Sequence, residues 1–392
     1  MPKDKKQERA IGANQSDTNG KLPVTTHTGV NATGTKTVLV SALLETTGQV
    51  RFGDGTDIAI TITEKDKVLG PNGKAIEKAI WAGTKRRGVD RRTVHEFRNQ
   101  LGWNGEECYI PKLCGMCPTC WLFGFTGTTQ EQESKVKEIN AKSRILYATS
   151  VSIEEVSRCV NRHSRNQVNE KSQTTAGVAG IHEEEVIVAG THFPVYTSLI
   201  HVLDWEIGAF AHAFLENLNS NRYTAASRGQ GGIRIAEENK EPMLVVDESS
   251  VGVFPLAVPK MPAWETEYNK AIALFKQERN SPISLSALQP LLESQGFTVK
   301  PEKNRLTASG GKAELVIEAC DNYLTVHQGS GELMKRYYGN QAKGYLLQKQ
   351  VEAQKKLTGL KKDVFSKEVN EYVEAITPKV KKEKKEAPRK AD

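Results

Sequence analysis

Long apolar segments are what this sequence lacks most clearly. No stretch of about 18 apolar residues occurs in the chain, and the most apolar candidate, residues 199–218, is interrupted by Asp204, Glu206 and two histidines. The first ten residues are polar and lack the apolar region of a secretory signal. These absences predict a cytoplasmic protein that has no membrane partner.

Signatures of nucleotide binding and catalysis are also missing. The chain contains no Walker motif and no dinucleotide-binding fingerprint, and its eight histidines are dispersed without a triad-like arrangement with Ser or Cys. Asp54 and Asp57, in the segment FGDGTD, are weak candidates for binding Mg²⁺ or assisting hydrolysis. Asp and Gly are natural turn formers, so these residues more often simply form a turn.

Cysteine is scarce, and its distribution is uneven. Four of the six cysteines fall within thirteen residues, in the order C-x5-C-x2-C-x2-C, and they are Cys108, Cys114, Cys117 and Cys120. In a reducing compartment, clustered cysteines are metal ligands more often than disulfide partners. Short C-x2-C loops supply two ligands of a tetrahedral site with little strain, so the sequence predicts a structural Zn²⁺ ion.

Three alternatives stay open at this cluster. His95 could replace one of the thiolate ligands. The spacing C-x2-C-x2-C also opens the ferredoxin pattern of an iron–sulfur site, but that pattern expects another cysteine soon afterwards, and Cys159 lies 39 residues beyond Cys120. The third alternative is a set of reduced structural cysteines that bind no metal.

The net charge of +7 says little about the body of the protein, because most of it lies at the two ends of the chain. Local basic clusters are more informative. They lie in GTKRRGVDRR, in the polar segment 157–183, and around the glycine-rich RYTAASRGQGG, and Arg51 follows the first predicted strand. Such runs are usually solvated surface, but glycines let backbone N–H groups approach a phosphate and a tyrosine offers a stacking surface. The candidate nucleic-acid contacts are therefore Arg51, Lys85, Arg86, Arg87, Arg91, Arg92, Arg158, Arg162, Arg165, Arg222, Tyr223, Arg228, Gly229, Gly231 and Gly232.

The order of predicted elements indicates an α+β protein. We predict strands at 37–46 and 58–63, helices at 74–82 and 92–101, a strand at 143–153, a strand region from 183, a helix at 204–218 and a strand at 233–237. Thr93 with Glu96, and Asp204, are the expected helix caps. Without insertions this is the β-α-β-β-α-β order of a ferredoxin-like fold, here a modified RNA-recognition-motif core.

Changes in composition divide the chain further. Beyond 255 the pattern favours helices at 264–278, 284–295, 332–356 and 361–376, with a small β-like patch at 306–326. The predicted regions are a mobile N-terminal arm (1–36), the core (37–255) with a zinc-binding insertion (102–125) and a basic thumb-like or lid-like insertion (157–183), a mainly helical region (256–376) and a Lys-rich disordered tail (377–392).

Four segments, in the same order, resemble motifs of RAMP-superfamily proteins of CRISPR effector complexes. CPTCWLFG followed by SRILYATS is similar to their C-x-x-C-x-L-F-G … S-R-I segment. ETTGQVRFGDG resembles the glycine-rich turn after their first strand, AGTKRRG resembles the start of their first helix, and SRGQGGIRI resembles the loop before their final strand. The length and the cysteine-rich insertion are most similar to the backbone subunits of type I-D Cascade.

The resemblance implies a protein that binds RNA and has no catalytic activity. Copies would polymerise in a helical filament along a CRISPR guide RNA, beside other Cascade subunits, and present the guide to a target DNA strand. By this resemblance Lys85, Arg86 and Arg87 would contact guide phosphates, Arg228, Gly229, Gly231 and Gly232 would form a backbone cradle, and 157–183 would be the thumb over the RNA.

Two alternative functions belong to other classes. The first is a metal-dependent ribonuclease that cuts guide-paired target RNA through Asp54 and Asp57, which follow the first strand as the catalytic aspartate does in related type III subunits. The second is a free-standing zinc protein that binds single-stranded nucleic acid without a guide.

Overall fold

The computed structural model describes residues 35–53, 60–105, 107–125, 142–166, 168–169, 174–175, 181–224, 231–250, 261–280, 285–294, 296–311, 313–320, 323–328, 331–365 and 367. The elements of its first half are β1 (Lys36–Thr46), β2 (Ile60–Thr61), β3 (Lys65–Leu69), β4 (Ala75–Trp81), α1 (Gly83–Gln100), α2 (Pro118–Phe123), β5 (Ile145–Tyr147), β6 (Ser150–Glu155), α3 (Val156–Cys159), β7 (Val160–Asn166), β8 (Val168–Asn169), β9 (Thr174–Thr175), β10 (Ile181–Ile187) and β11 (His192–Val202). The second half contains α4 (Asp204–Asn219), β12 (Ile233–Ile235), β13 (Glu237–Glu238), β14 (Glu241–Pro242), β15 (Leu244–Ser249), α5 (Tyr268–Asn280), α6 (Leu285–Ser294), β16 (Thr298–Glu302), β17 (Arg305–Gly310), β18 (Ala313–Cys320), β19 (Tyr323–Gln328), β20 (Gly331–Tyr338) and α7 (Gly339–Leu357).

A ten-stranded antiparallel sheet organises the protein, and β1 lies near its centre. Along one path the strand order is β16-β17-β18-β19-β20-β15-β1-β11-β5. On one edge of β1 the first residues pair with β15 and the last residues pair with β12. On the other edge β1 pairs with β11, which pairs with β5, so part of the sheet has the strand order β12-β1-β11-β5. In the chain, α1 lies between β1 and β5, and α4 connects β11 to β12.

Both faces of β1 are buried, which explains why its sequence, KTVLVSALLET, is almost continuously apolar. Alternate side chains point to opposite faces of a strand. Those at positions 38, 40, 42 and 44 join the main core with Phe210 and Phe214 of α4. Leu43 points the other way and packs with Ile272 and Phe275 of α5. The sheet is therefore covered by α4 on one face and by α5 on the other.

The predicted helix at 74–82 is wrong, because this segment is strand β4. Residues 70–73 form a turn with Gly73 at a φ of 73°, and the chain returns along β3. Pairing with β3 and β6 overrides the helical preference of Ala, Glu and Lys. Helix α1 then begins at Gly83 and includes the whole basic segment, so Thr93 lies inside the helix and does not cap it.

The β-like patch predicted at 306–326 within the mainly helical region agrees with the structure but is too small, and the helix predicted at 332–356 is wrong up to residue 338, because strands occupy 298–338. Five strands, β16 to β20, extend the central sheet there in sequential antiparallel pairs. In β20 the buried side chains are Met334, Arg336 and Tyr338, which is the period of two expected of a strand. Its Glu, Leu, Met and Lys residues favour helices, and the segment runs directly into α7, so the sequence reads as one long helix.

Several other predictions agree with the elements or fall outside them. Helices α5 and α6 lie close to the predicted helices, and α4 begins at Asp204, although Leu203 and not Asp204 is its N-cap residue. Part of the segment 157–183 forms a small sheet in which β10 pairs with β7 and β2. Residues 1–34 of the predicted arm and the tail 377–392 lie outside the described residues. Among the helices of the described ranges, none combines the length and apolar character needed to cross a lipid bilayer.

Candidate nucleic-acid interface

Residues 47–53, which we call the first turn, are the place where the predicted basic regions meet. The turn leaves the end of β1 and pairs with β10, since Val50 N–H donates to Ile187 O at 3.0 Å and Ile187 N–H donates back at 2.8 Å. Gly53 forms a bridge with Thr63 on the other side. The glycine-rich loop, helix α1 and strand β7 each contact this turn.

Gly231 and Gly232 cross the first turn at backbone-to-backbone distance. Thr47 N–H donates to Gly232 O at 2.9 Å, and Gly232 N–H donates to the Thr47 hydroxyl at 3.1 Å. A Cβ on Gly231 would lie 2.3 Å from the backbone carbon of Gly48. The structure therefore explains these two glycines by the crossing of two backbones. From the sequence alone, they are expected to form a cradle for phosphate. Arg228 and Gly229 lie outside the described residues.

The three consecutive cations at the start of α1 bind three different backbone carbonyls. Lys85 donates to Gly53 O of the first turn and forms an ion pair with Glu64 at 3.1 Å. Arg86 donates to Ala148 O, between β5 and β6. Arg87 donates to Phe123 O at the end of α2. The run that the sequence marks as a phosphate-binding patch thus connects α1 to three neighbouring segments.

Arg86 is not a surface residue. Its side chain is 3% exposed, and its guanidinium lies 5.4 Å from the centre of the Trp81 ring and 5.7 Å from that of Tyr147. Burial lowers the pKa of Arg86. The prediction that Arg86 contacts a guide phosphate therefore disagrees with its position, because no phosphate reaches a guanidinium enclosed by aromatic rings and a backbone carbonyl.

Tyr223 does not offer a stacking surface either. It is 7% exposed, its ring meets Trp81 edge-on at 5.5 Å, and its hydroxyl donates to Asp90 Oδ1 at 2.6 Å. Trp81 in turn stacks on Phe52 of the first turn, with 4.7 Å between ring centres. The predicted stacking residue is therefore part of the core under the interface.

Asp90 is the centre of a buried network that the sequence analysis missed. Besides Tyr223, it accepts hydrogen bonds from Tyr147 at 2.7 Å and from Asn217 Nδ2 at 2.8 Å. Thr93 donates to Asn217 Oδ1 at 2.6 Å. Burial raises the pKa of Asp90 to about 6, although these hydrogen bonds act in the opposite direction. The signal in the sequence was a single carboxylate inside a basic helical run, four residues after Arg86.

Arg51 is also buried, in an ion pair across the first turn. Its Nη2 lies 2.6 Å from the Glu184 carboxylate of β10, and the two side chains are 6% and 1% exposed. Because Glu184 already neutralises the guanidinium in the interior, the predicted contact between Arg51 and RNA does not fit this position.

The second basic cluster lies on α3, which contains Arg158, and on strand β7, which contains Arg162 and Arg165. Arg158 is exposed, and Arg162 is exposed while paired with Glu183 at 2.7 Å. Arg165 lies opposite His182 in the β7–β10 register. The strand reaches the first turn through His163, whose Nε2 is 3.4 Å from Gln49 Nε2. This cluster therefore borders the first turn, as the prediction of a basic insertion near the guide requires.

The remaining predicted contacts lie on or near α1. Arg92 is exposed and Arg91 is partly buried. Arg222 is paired with Glu96 of α1. Asp54 and Asp57, which directly follow the first turn, lie outside the described residues. Of the predicted contacts in the described residues, Arg92, Arg158 and Arg162 are exposed, and Lys85 and Arg222 are partly exposed.

The four clustered cysteines come together around one point. Their Sγ atoms all lie within 4.8 Å of one another, and those of Cys108 and Cys120 are 3.3 Å apart. Cys117 is the N-cap of α2, where its sulfur accepts a hydrogen bond from Cys120 N–H at 3.4 Å, and Pro118 fixes the first helical position. Four sulfurs bound to one Zn²⁺ at about 2.3 Å would be about 3.8 Å apart, so the donor set fits a tetrahedral ion.

Proton sharing within the cluster favours replacement of protons by a cation. Hydrogen bonds from Cys114, Cys117 and Cys120 lower the pKa of Cys108, whereas burial raises the pKa of Cys117. Several buried thiolates side by side repel one another unless a divalent ion compensates their charge. His95 is not part of this group of ligand atoms. Its Nε2 lies 3.3 Å from Arg98 Nη2 instead.

Two arginines connect the cysteine segment to the body of the protein. At the end of α2, Arg144 Nη2 donates to Trp121 O at 3.2 Å, Arg144 N–H donates to Leu122 O at 3.1 Å, and Arg87 donates to Phe123 O. The last carbonyls of this helix are thus all satisfied by groups outside it, as helix C-termini require. The cysteine segment is docked onto α1 and the start of β5.

Comparison with known proteins identifies one related family. The family model described as Csc2 Crispr matches residues 63–236, from the start of β3 to the end of β12. No curated protein matches the chain.

Three solved structures are similar to this chain at low sequence identity. A chain of "Type IV-B CRISPR Complex" is 12% identical, over 60% of this chain and 98% of that chain, with a TM-score of 0.36. Thermofilum pendens Csc2 is 15% identical, over 64% of this chain and 77% of that chain, also with a TM-score of 0.36. A chain of the Csm3-Csm4 subcomplex of a type III-A CRISPR-Cas interference complex is 13% identical, over 55% and 81%, with a TM-score of 0.29.

Proposed function

We propose that this chain is a CRISPR RNA-binding backbone subunit of a Cascade-type effector complex, of the type I-D kind. The observation that carries the proposal is the match of residues 63–236 to the Csc2 CRISPR family. The matched segment contains α1, the cysteine cluster, β7 and β10, and Gly231 with Gly232. Of these, α1, β7, β10 and the two glycines contact the first turn, although the turn itself (47–53) precedes the matched residues.

The core of the protein is, in this proposal, ferredoxin-like. The antiparallel order β12-β1-β11-β5, with α1 and α4 as the two connecting helices, supports it. In an RNA-recognition fold the RNA crosses the face of the sheet. Here α5 packs on the face opposite α4 at Leu43, so the guide runs along the loops at the end of the sheet instead.

Guide recognition is independent of sequence in this account. The exposed cations Arg92, Arg158 and Arg162 contact phosphates, and the buried crossing of Gly231 over Gly48 holds the first turn in place beneath the RNA. Several copies bind side by side along the guide in a helical filament. Other Cascade subunits complete the complex, and the guide is presented to a target DNA strand.

The four cysteines hold a structural Zn²⁺ in this proposal. All four ligands come from the chain, so the ion has no open position for a substrate and supplies folding energy to the segment around α2. The protein residues fix α2 at both ends, through Cys117 and Cys120 at its start and through Arg87 and Arg144 at its end.

The test of RNA binding is native mass spectrometry of the purified chain with guide-length RNAs of increasing length. The proposal predicts that the number of bound copies rises with RNA length and does not depend on spacer sequence. Charge removal in R92A and R158A should weaken binding of all sequences equally and reduce the salt dependence of the affinity. Binding of a single copy whatever the length of the RNA would instead support a free-standing zinc protein.

A metal-dependent ribonuclease is the rival function, because Asp54 and Asp57 directly follow the first turn. It is tested by adding complementary RNA and Mg²⁺ to the guide-loaded protein. The proposed subunit leaves that RNA intact. Cleavage that is lost in D54A would replace the structural role with an enzymatic one.

A further inference from the structure

Asp90 is buried beneath the candidate interface and contacts none of the predicted RNA-binding cations through an ion pair within the described residues. It is 1% exposed, and its two carboxylate oxygens divide their partners. Oδ1 accepts from Tyr223 at 2.6 Å and from Asn217 at 2.8 Å, while Oδ2 accepts from Tyr147 at 2.7 Å. One carboxylate thus ties α1 to the end of α4, to the turn that follows α4 and to the edge strand β5.

The Tyr223 branch of this network leads to the first turn. Thr224 N–H and its hydroxyl both donate to Asn221 O, at 3.3 and 2.8 Å, which closes the turn around Tyr223. Asn221 has a φ of 56°, and its Oδ1 lies 2.1 Å from the position that a Cβ on Gly232 would take. Gly232 is hydrogen-bonded to Thr47 in both directions. A continuous series of contacts therefore joins Asp90 to the crossing of the two backbones.

The Tyr223 ring gives a second connection to the same place. It meets Trp81 edge-on, and Trp81 stacks on Phe52 of the first turn. The Tyr147 ring also reaches Trp81, through the Arg86 guanidinium at 5.7 and 5.4 Å, but Tyr147 belongs to the edge strand β5 and makes no hydrogen bond to the Gly231–Gly232 crossing among the described residues. Both tyrosines therefore donate a hydrogen bond to the Asp90 carboxylate, but Tyr223 connects it to the glycine crossing and Tyr147 connects it to β5.

We infer that Asp90 is a positioning residue for guide binding, which acts through Tyr223 to hold the buried crossing of Gly231 and Gly232 against the first turn and so keeps the exposed residues of that turn, Thr47 and Gln49, in the geometry that accepts RNA. This inference rests on the proposed function and adds to it a residue that never touches RNA. If the crossing is already ordered before RNA binds, less conformational entropy is lost on binding. Loss of the Tyr223 hydrogen bond should therefore weaken RNA binding without removing any RNA contact.

The test compares Y223F with Y147F in the full chain. Each variant removes one buried hydroxyl from Asp90, so the two should lower the melting temperature by similar amounts. Y223F should speed amide hydrogen exchange at Gly231, Gly232 and Thr47 about tenfold and weaken guide RNA binding by about the same factor, the usual effect of losing one such bond. Y147F should leave both quantities within about twofold of wild type. D90N, which keeps Oδ1, should bind RNA better than D90A.

The two readouts separate the possible failures. Equal exchange rates and equal affinities in Y223F and Y147F would overturn the inference while leaving RNA binding by the wild-type chain in place. Failure of the wild-type chain to bind guide RNA would overturn the proposed function, and with it the role of Asp90 in binding. In that case the exchange data would show whether Asp90 still anchors the glycine crossing.

Discussion

Arg51 and Glu184 illustrate at the level of single residues how this protein uses charge around its first turn. Their ion pair is buried between the turn and β10, whereas the neighbouring pair, Arg162 with Glu183, has side chains that are 62% and 40% exposed. A buried carboxylate that loses its partner costs far more than an exposed one. The two pairs therefore give a direct test of which arginines stabilise the fold.

We predict that R51A lowers the free energy of unfolding by about 3–5 kcal/mol, because it leaves Glu184 buried without its partner. The matched control, R162A, should change it by less than about 1 kcal/mol and should weaken RNA binding instead. Chemical denaturation of both variants measures the difference. If R51A is as stable as wild type but no longer binds RNA, Arg51 contacts RNA and this account of its burial is wrong.

Asp90 gives the protein a predicted pH dependence. Its pKa is raised by burial to about 6, so between about pH 4 and about pH 6 the folded state holds a proton that the unfolded state has lost. The contribution of Asp90 to the free energy of unfolding therefore falls as the pH rises through this window, by up to about 3 kcal/mol, and is constant above it.

D90N should remove this contribution, since an amide does not titrate. The measurement is the free energy of unfolding in urea at several pH values for wild type and D90N. The difference between the two proteins should change across the window and level off above about pH 6. A constant difference at all pH values would mean that Asp90 titrates normally.

At the level of elements, the crossing of the glycine-rich loop and the first turn is the most constrained feature. A side chain at Gly231 would collide with the backbone of Gly48, which cannot rotate away. Gly344, in α7, has nothing within 4 Å of an added Cβ. We predict that G231A costs about 1–3 kcal/mol of stability and also weakens RNA binding. G344A should be neutral or stabilise the helix by about 1 kcal/mol. Equal effects of G231A and G344A would contradict the close approach of the two backbones at Gly231.

Helix α2 makes a second prediction at this level. C117S should remove one ligand and the N-cap sulfur together, lower the zinc content on elemental analysis and lower the melting temperature. C159S is the matched control, because Cys159 is equally buried but lies outside the cluster. Unchanged zinc content in C117S, or an equal loss in C159S, would contradict a zinc site at these four cysteines.

The success of the sequence analysis differed between elements for physical reasons. Strand β1 and helix α4 bury many apolar side chains with a clear period, and the cysteines have a diagnostic spacing, so all three were predictable. Strands β4 and β20 consist largely of helix-forming residues and owe their conformation to pairing with distant strands. Arg86 and Tyr223 look like RNA contacts in the sequence because residue type reveals charge and shape but not burial.

At the level of the whole molecule, the chain extends a small core into a large sheet. Strands β16 to β20 continue it from β15, and α5 covers the face that an RNA-recognition fold leaves open. The accessible features are then the loops at the C-terminal end of β1, which is where the basic segments and glycines converge. This arrangement suits a subunit that holds a nucleic-acid backbone and repeats along it.

The central claim is that this chain binds a CRISPR guide RNA, and the most direct measurement is sequencing of the RNA that co-purifies with it. The full chain would be expressed with a CRISPR array and its partner subunits, and the bound RNA extracted and sequenced. We predict a discrete small RNA with repeat-derived ends that varies in spacer sequence. Absence of RNA, or a heterogeneous mixture of unrelated cellular RNA, would contradict the account.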